Sequence, residues 1–259
     1  YRYLREGLGS GEIASHGVAG EAAVAVATDG GVLTGAAGIG VGGVHHGSDG
    51  AMPTVRIAAT GMYRTWIAGA ELATGPAYPS LMTGASLAGE GGAEPLRERG
   101  LTVLAGGPVG RADAAVELQR AAISDGNART AVTVTVRHPL TRRWAALYTG
   151  QGISFAARSS LYWDPSAYVD NAIGVEFAER RVRGLSMGAR VRMGLAWADG
   201  TPFIRESADP GESGARLRLD LASDLRYRTG TWEAAVSYAI GKVGAYQRHQ
   251  GALLVRIDP

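Results

Sequence analysis

Cysteine is absent from the 259-residue sequence, which excludes a disulfide scaffold and any cysteine-ligated metal site. Lysine is nearly absent too, Lys242 standing alone among 26 basic residues. Asp and Glu number 24, so the net charge is only +2, and no basic surplus marks a nucleic-acid partner. Charged residues make up only 19% and aromatics only 7%, while apolar residues reach 46%, too many for a disordered chain of so little net charge. No apolar run approaches the roughly 20 residues of a transmembrane helix. The uncharged stretch Gly30–Val44 is too short and too rich in glycine. The first residue is Tyr1, with no cationic segment leading into an apolar core. A processed or excised chain is therefore expected, with no signal peptide left to read.

What the sequence has instead is alternation. Leu185, Met187, Ala189, Val191, Met193, Leu195 and Trp197 take turns with Ser186, Gly188, Arg190, Arg192, Gly194 and Ala196. A period of two places the sets on opposite faces of one strand. The pattern recurs with Leu217, Leu219, Leu221, Leu225 and Tyr227 against Arg216, Arg218, Asp220, Asp224, Arg226 and Arg228. It returns in Trp232–Ile240 around Glu233 and Ser237, and in Leu253, Val255 and Ile257. Fainter runs lie at Val132–Val136, Val55–Ile57 and Val24–Val26. Ala and Glu between Gly110 and Ile123 favour a helix, but Val116 and Leu118 alternate with Glu117 and Gln119, so a strand is expected there. Turn signals such as Thr28-Asp29-Gly30-Gly31, Ser124-Asp125-Gly126-Asn127 and Thr229-Gly230 separate the runs, and longer Gly/Pro-rich connections lie near Gly75–Pro79, Glu90–Pro95 and Ser207–Gly214. No break in composition suggests a second domain.

Two architectures fit such strands. A soluble sandwich buries its apolar face; an outer-membrane barrel turns it to lipid and keeps the polar face in a wet lumen. Runs of 11–13 alternating residues are long for a soluble sheet and match a tilted crossing of a bilayer. The reading is an all-β chain, a transmembrane antiparallel up-and-down barrel of about 12–16 strands, in a single domain spanning residues 1–259. Its location would be the bacterial outer membrane and its first partner the lipid bilayer.

Motifs that suggest catalysis lack their structural setting. Gly184-Leu185-Ser186-Met187-Gly188 fits the nucleophile elbow G-x-S-x-G, yet the residues after it alternate as a strand rather than opening a helix. Gly38-Ile39-Gly40-Val41-Gly42-Gly43 fits G-x-G-x-x-G, but Val44-His45-His46-Gly47 opens no helix either. His45 and His46 are neighbours on what would be opposite faces. His138 reads as a strand end, His249 as lumenal or exposed, and Glu179–Arg183 as a charged hairpin end. No enzyme activity, cofactor or metal is expected.

The charged faces are the functional candidates. Arg190, Arg192, Arg216, Arg218, Asp220, Asp224, Arg226, Arg228 and Glu233, with Glu176, would line the pore. They would either neutralise one another in a cross-strand ladder or leave surplus arginine that sets a field favouring neutral or anionic cargo. On this reading Leu219→Arg puts a charge into hydrocarbon, whereas Arg218→Leu costs little stability and alters conductance.

Leu161-Tyr162-Trp163-Asp164-Pro165-Ser166-Ala167-Tyr168, then Gly174-Val175-Glu176-Phe177 and Gly184–Arg190, resembles the C-terminal barrel of the cellulose synthase operon protein C family, in which an aromatic-bearing Asp-Pro-x-x-Tyr element opens a late strand. Here Trp163, Asp164, Pro165 and Tyr168 carry it. Tyr1–Ser10 and His16-Gly17-Val18 resemble that family's basic, glycine-punctuated start. The resemblance implies an outer-membrane channel for a secreted polysaccharide, cellulose-like or another exopolysaccharide. It also implies an upstream periplasmic tetratricopeptide-repeat domain and an inner-membrane synthase complex as partners. No such 34-residue repeat occurs in the sequence, so this would be the barrel alone, the C-terminal part of a longer chain. Two other classes stay open: a soluble carbohydrate-binding or adhesion sandwich, and a barrel anchor that conducts nothing.

Overall fold

The computed structural model describes residues 2–8, 11–45, 52–76, 96–157, 166–182, 184–198, 214–243 and 246–257. Within them the chain forms β1 (Arg2–Leu8), β2 (Gly11–Thr28), β3 (Gly31–His45), β4 (Met52–Tyr63), β5 (Trp66–Pro76), β6 (Arg97–Val109) and β7 (Ala112–Ile123). It continues as β8 (Ala128–Pro139), β9 (Trp144–Phe155), β10 (Tyr168–Val182), β11 (Leu185–Ala198), β12 (Gly214–Thr229), β13 (Trp232–Val243) and β14 (Tyr246–Ile257). Each strand pairs antiparallel with the next, and β14 pairs with β1 from Arg2↔Ala252 to Gly7↔Gln247, closing the sheet into a barrel. Closure removes the sheet edges that would otherwise expose unpaired backbone groups, which lipid cannot hydrogen-bond.

The expected helical competitor resolves as β7. Its alternation is fixed on both sides by ladders, Val116 opposite Ala105 of β6 and Val134 of β8. Tertiary pairing here overrides the local preference of Ala and Glu.

One end of the barrel carries only tight connections, at residues 29–30, 64–65, 110–111, 140–143, 183–184 and 230–231. The opposite end carries the longer ones, including the intervals 77–96, 156–167 and 199–213, so the strands are joined as in outer-membrane barrels. Gly184 shows why a tight turn needs glycine: its φ is +87°, and a Cβ there would run into the carbonyl oxygen of Arg228. Gly184→Ala is expected to cost about 1–2 kcal/mol. Denaturant midpoints of the two proteins refolded into vesicles would measure it; an unchanged midpoint would contradict the strained turn.

The apolar set faces away from the barrel interior. Ile39, Ile57, Leu72, Ile173, Leu217 and Val236 are all exposed, Ile39 to 73%. In a closed sheet with one face turned inward, such a ring has no protein to pack against. It is the wall that lipid covers, and the soluble sandwich is excluded because a sandwich buries this face.

Candidate functional site

Which face is concave can be read from contacts that skip a strand. Side chains two strands apart converge on the inside of a barrel and diverge on the outside. Arg129 of β8 bonds Glu98 of β6 at 3.0 Å and Arg137 of β8 bonds Glu176 of β10 at 2.8 Å. Arg192 of β11 donates to the Thr149 hydroxyl of β9 at 2.9 Å, and Arg218 of β12 pairs with Asp170 of β10. All of these belong to the polar set, so the polar face is the lumenal one.

The lumenal wall has two zones. Toward the long-connection end it is packed: Leu96, Ile123 and Phe155 form one buried cluster and Tyr168, Ala196 and Ala198 another, with Ile153 against both. Beside them lies an ionic cluster. Asp170 is fully buried and accepts a 2.8 Å hydrogen bond from the Tyr168 hydroxyl. Arg218 reaches Asp170 and, through Nε, donates to Asp220 at 2.7 Å; Arg192 closes the group at 3.4 Å from Asp220. Toward the tight-turn end the wall opens into cavities of about 400 and 500 Å³. The larger is lined by Glu176, Ser186, Arg190, Asp224, Arg226 and Ser237, among others.

The residues singled out from the sequence divide between these zones. Register puts Arg192 opposite Asp220, Arg216 opposite Ala196, and Arg228 opposite Glu233, all on the polar side. Arg226 pairs with Glu233 at 3.3 Å, and the Asp224 carboxylate lies over Gly188. Among the described residues no ion pair involves Arg190 or Arg216. Among the described residues, arginines with an ion pair and arginines without one thus share this face.

One expectation needs correction. Arg218 is not a free lumenal charge that leucine can replace at little cost, because it is the counter-ion of a carboxylate without solvent. Alternation gives the face of a residue but not its partners two strands away. His249, expected to be lumenal or exposed, is exposed: it lies on the outer face opposite Ile240, with Nδ1 2.6 Å from the Tyr238 hydroxyl. Ser186 sits within β11 opposite Arg226, in extended strand, so the G-x-S-x-G match has no elbow. Gly38–Gly43 likewise lies inside β3. Trp163, Asp164 and Pro165 fall outside the described residues; Tyr168 is the buried donor to Asp170.

Several lumenal groups escaped sequence reading. Arg56 pairs with Glu71 at 2.7 Å, and Gln119 joins Glu98 around Arg129. Asp170 itself was detectable only as an acid two residues from Tyr168.

Six of the aromatics share one rim, while Trp197 stands on the outer face at the other end and Tyr148 and Tyr238 lie between. Tyr63, Trp66, Trp144, Phe177, Tyr227 and Trp232 all stand on the outer face at strand ends next to tight turns. Trp144 packs on Phe177 with ring centroids 5.0 Å apart, and Tyr227 on Trp232 at 5.7 Å. These six form a girdle at the tight-turn rim.

No family model and no curated protein matches the sequence. Among solved structures the chain is similar to a "bacterial polysaccharide outer membrane secretin", at 12% identity and a TM-score of 0.56, covering 100% of this chain and 98% of that one. It also aligns with the translocator domain of the autotransporter NalP from Neisseria meningitidis, at 10% identity and a TM-score of 0.43, covering 100% and 86%. A third is the β domain of the Bordetella autotransporter BrkA, at 15% identity and a TM-score of 0.37, covering 100% and 97%. The first of these likenesses establishes the fold, that of an outer-membrane β-barrel. With its apolar belt and aromatic rim, the chain is a bilayer-spanning barrel of the bacterial outer membrane.

Proposed function

We propose that the barrel is a passive channel through which a secreted polysaccharide, cellulose-like or another exopolysaccharide, crosses the outer membrane. The observation that carries this reading is the lumenal wall. A closed ring of fourteen tilted strands is on the order of 28 Å across between backbones, wider than side chains can fill. Its open zone carries Arg, Glu, Asp and Ser, which can hydrogen-bond a hydrated, hydroxyl-rich cargo. The whole-length likeness in fold to a polysaccharide secretin supports the same cargo class. So does the resemblance to the cellulose synthase operon protein C barrel. On that resemblance the barrel is the C-terminal part of a longer chain, preceded by periplasmic repeats and served by an inner-membrane synthase that supplies the glycan and the energy.

Within this channel Arg190 and Arg216 are the charges that act on cargo, since neither is neutralised by an ion pair among the described residues. Arg192, Arg218 and Arg226, tied to carboxylates, are structural. In planar bilayers the wild type is expected to conduct with preference for anions, and soluble glucan oligosaccharides are expected to block the current transiently. Arg190→Gln with Arg216→Gln should lower the anion-to-cation permeability ratio while leaving the fold intact. A wild type that inserts but never conducts would replace the channel with a barrel anchor. Conductance indifferent to oligosaccharides would remove the glycan.

A further inference from the structure

On the outer face, the rim opposite the aromatic girdle carries a different chemistry. Arg97 and Arg99 begin β6, and Arg120 lies near the end of β7, all exposed. Their face follows from register. Leu72, Leu101 and Arg120 are partners in a row across β5, β6 and β7, and Thr130 and Ser154 extend the row through β8 and β9. Arg99 is opposite Ala122 and Thr74, which makes it the diagonal neighbour of Arg120 at a spacing of about 7–8 Å or less. Arg97 follows two residues farther toward the rim. Leu101, Val103 and Val109 continue the same face of β6 as the apolar belt, so the arginines sit where the belt ends.

Among the described residues none of the three forms an ion pair. No carboxylate shares their face on β5 to β9: Glu71, Glu98, Asp113 and Glu117 all alternate to the lumenal side, where Glu98 already holds Arg129. Lys242, opposite Leu219 in register, adds the same sign to the same rim elsewhere on the wall. A guanidinium at the edge of hydrocarbon is stabilised by a bidentate anion from the headgroup layer, and phosphate fits the fork of arginine. Thr74, Thr130 and Ser154 offer hydroxyls beside it.

We propose that Arg97, Arg99 and Arg120 form a binding site for the phosphate groups of a phosphorylated glycolipid in the leaflet at the long-connection end of the barrel. The site is independent of what passes through the lumen.

The test uses the refolded full chain in nanodiscs with bisphosphorylated lipid A or its enzymatically dephosphorylated form, binding being read by native mass spectrometry. The wild type should retain the phosphorylated lipid and release the dephosphorylated one. Arg97→Gln/Arg99→Gln/Arg120→Gln should weaken retention at least about tenfold, with Lys242→Gln close to wild type. Equal retention of both lipids by the wild type would overturn the site, and this arm needs no variant to fold. A folded triple variant that binds as well as wild type would overturn it too. Displacement of the lipid by millimolar inorganic phosphate would assign the cluster to a free anion and so contradict a lipid site.

Discussion

Arg218→Leu is expected to destabilise the barrel by about 3–5 kcal/mol, the cost of leaving a buried charge without its partner. Asp170 is 0% exposed, and among the described residues Arg218 is the one cation paired with it. Asp220 loses its 2.7 Å bond from the same guanidinium and, among the described residues, keeps Arg192 as its one ion pair. The Tyr168 hydroxyl donates a single neutral hydrogen bond, too little to hold a desolvated carboxylate. Arg218→Leu combined with Asp170→Asn should recover much of the loss, because the charge then leaves together with its counter-ion. Denaturant unfolding from lipid vesicles measures both. A single variant as stable as wild type would show that the cluster is hydrated and the packed zone is not dry.

The second large effect is on the opposite face of the same strand. Leu221→Arg should cost about 2–4 kcal/mol, the penalty for a guanidinium near the bilayer midplane. Leu221 lies between the level of Lys242 on one side and the Tyr227–Trp232 girdle on the other. Leu219, the position alternation alone would choose, is directly opposite Lys242 and so already close to the headgroups. Leu219→Arg is therefore the milder change, and the difference between the two variants reports depth. Equal tolerance of both would mean that this face does not meet hydrocarbon.

The sequence made the strands and their faces legible where alternation was long. β11 and β12 repeat the apolar/polar period over about 13 residues and β13 over nine, and the structure pairs them as that period requires. Where alanine and glycine replace larger apolar residues, as in β2 and β3, the contrast between faces shrinks and the boundaries were not readable. Contacts across a skipped strand were invisible for a different reason. Arg218 meets Asp170, and Arg192 meets Thr149, only because the barrel wall is concave, and curvature leaves no trace in a local pattern. Aromatic residues are few, but Trp66, Trp144 and Trp232 all follow tight turns, and that places them on one rim.

The absence of cysteine from the sequence permits the most direct test of the central arrangement, apolar wall to lipid and polar wall to water. Single cysteines would be placed at Arg190, Arg216, Asp224 and Arg228, and in a second set at Val191, Leu221, Leu225 and Val236. Each would be refolded into vesicles and exposed to a membrane-impermeant, water-soluble maleimide. An outward-apolar barrel predicts modification of the first set and protection of the second, with the second set quenched instead by spin-labelled lipid when it carries a fluorophore. Modification of the second set with protection of the first would mean the faces are reversed, and modification of both without vesicle protection would mean the chain does not span the bilayer at all.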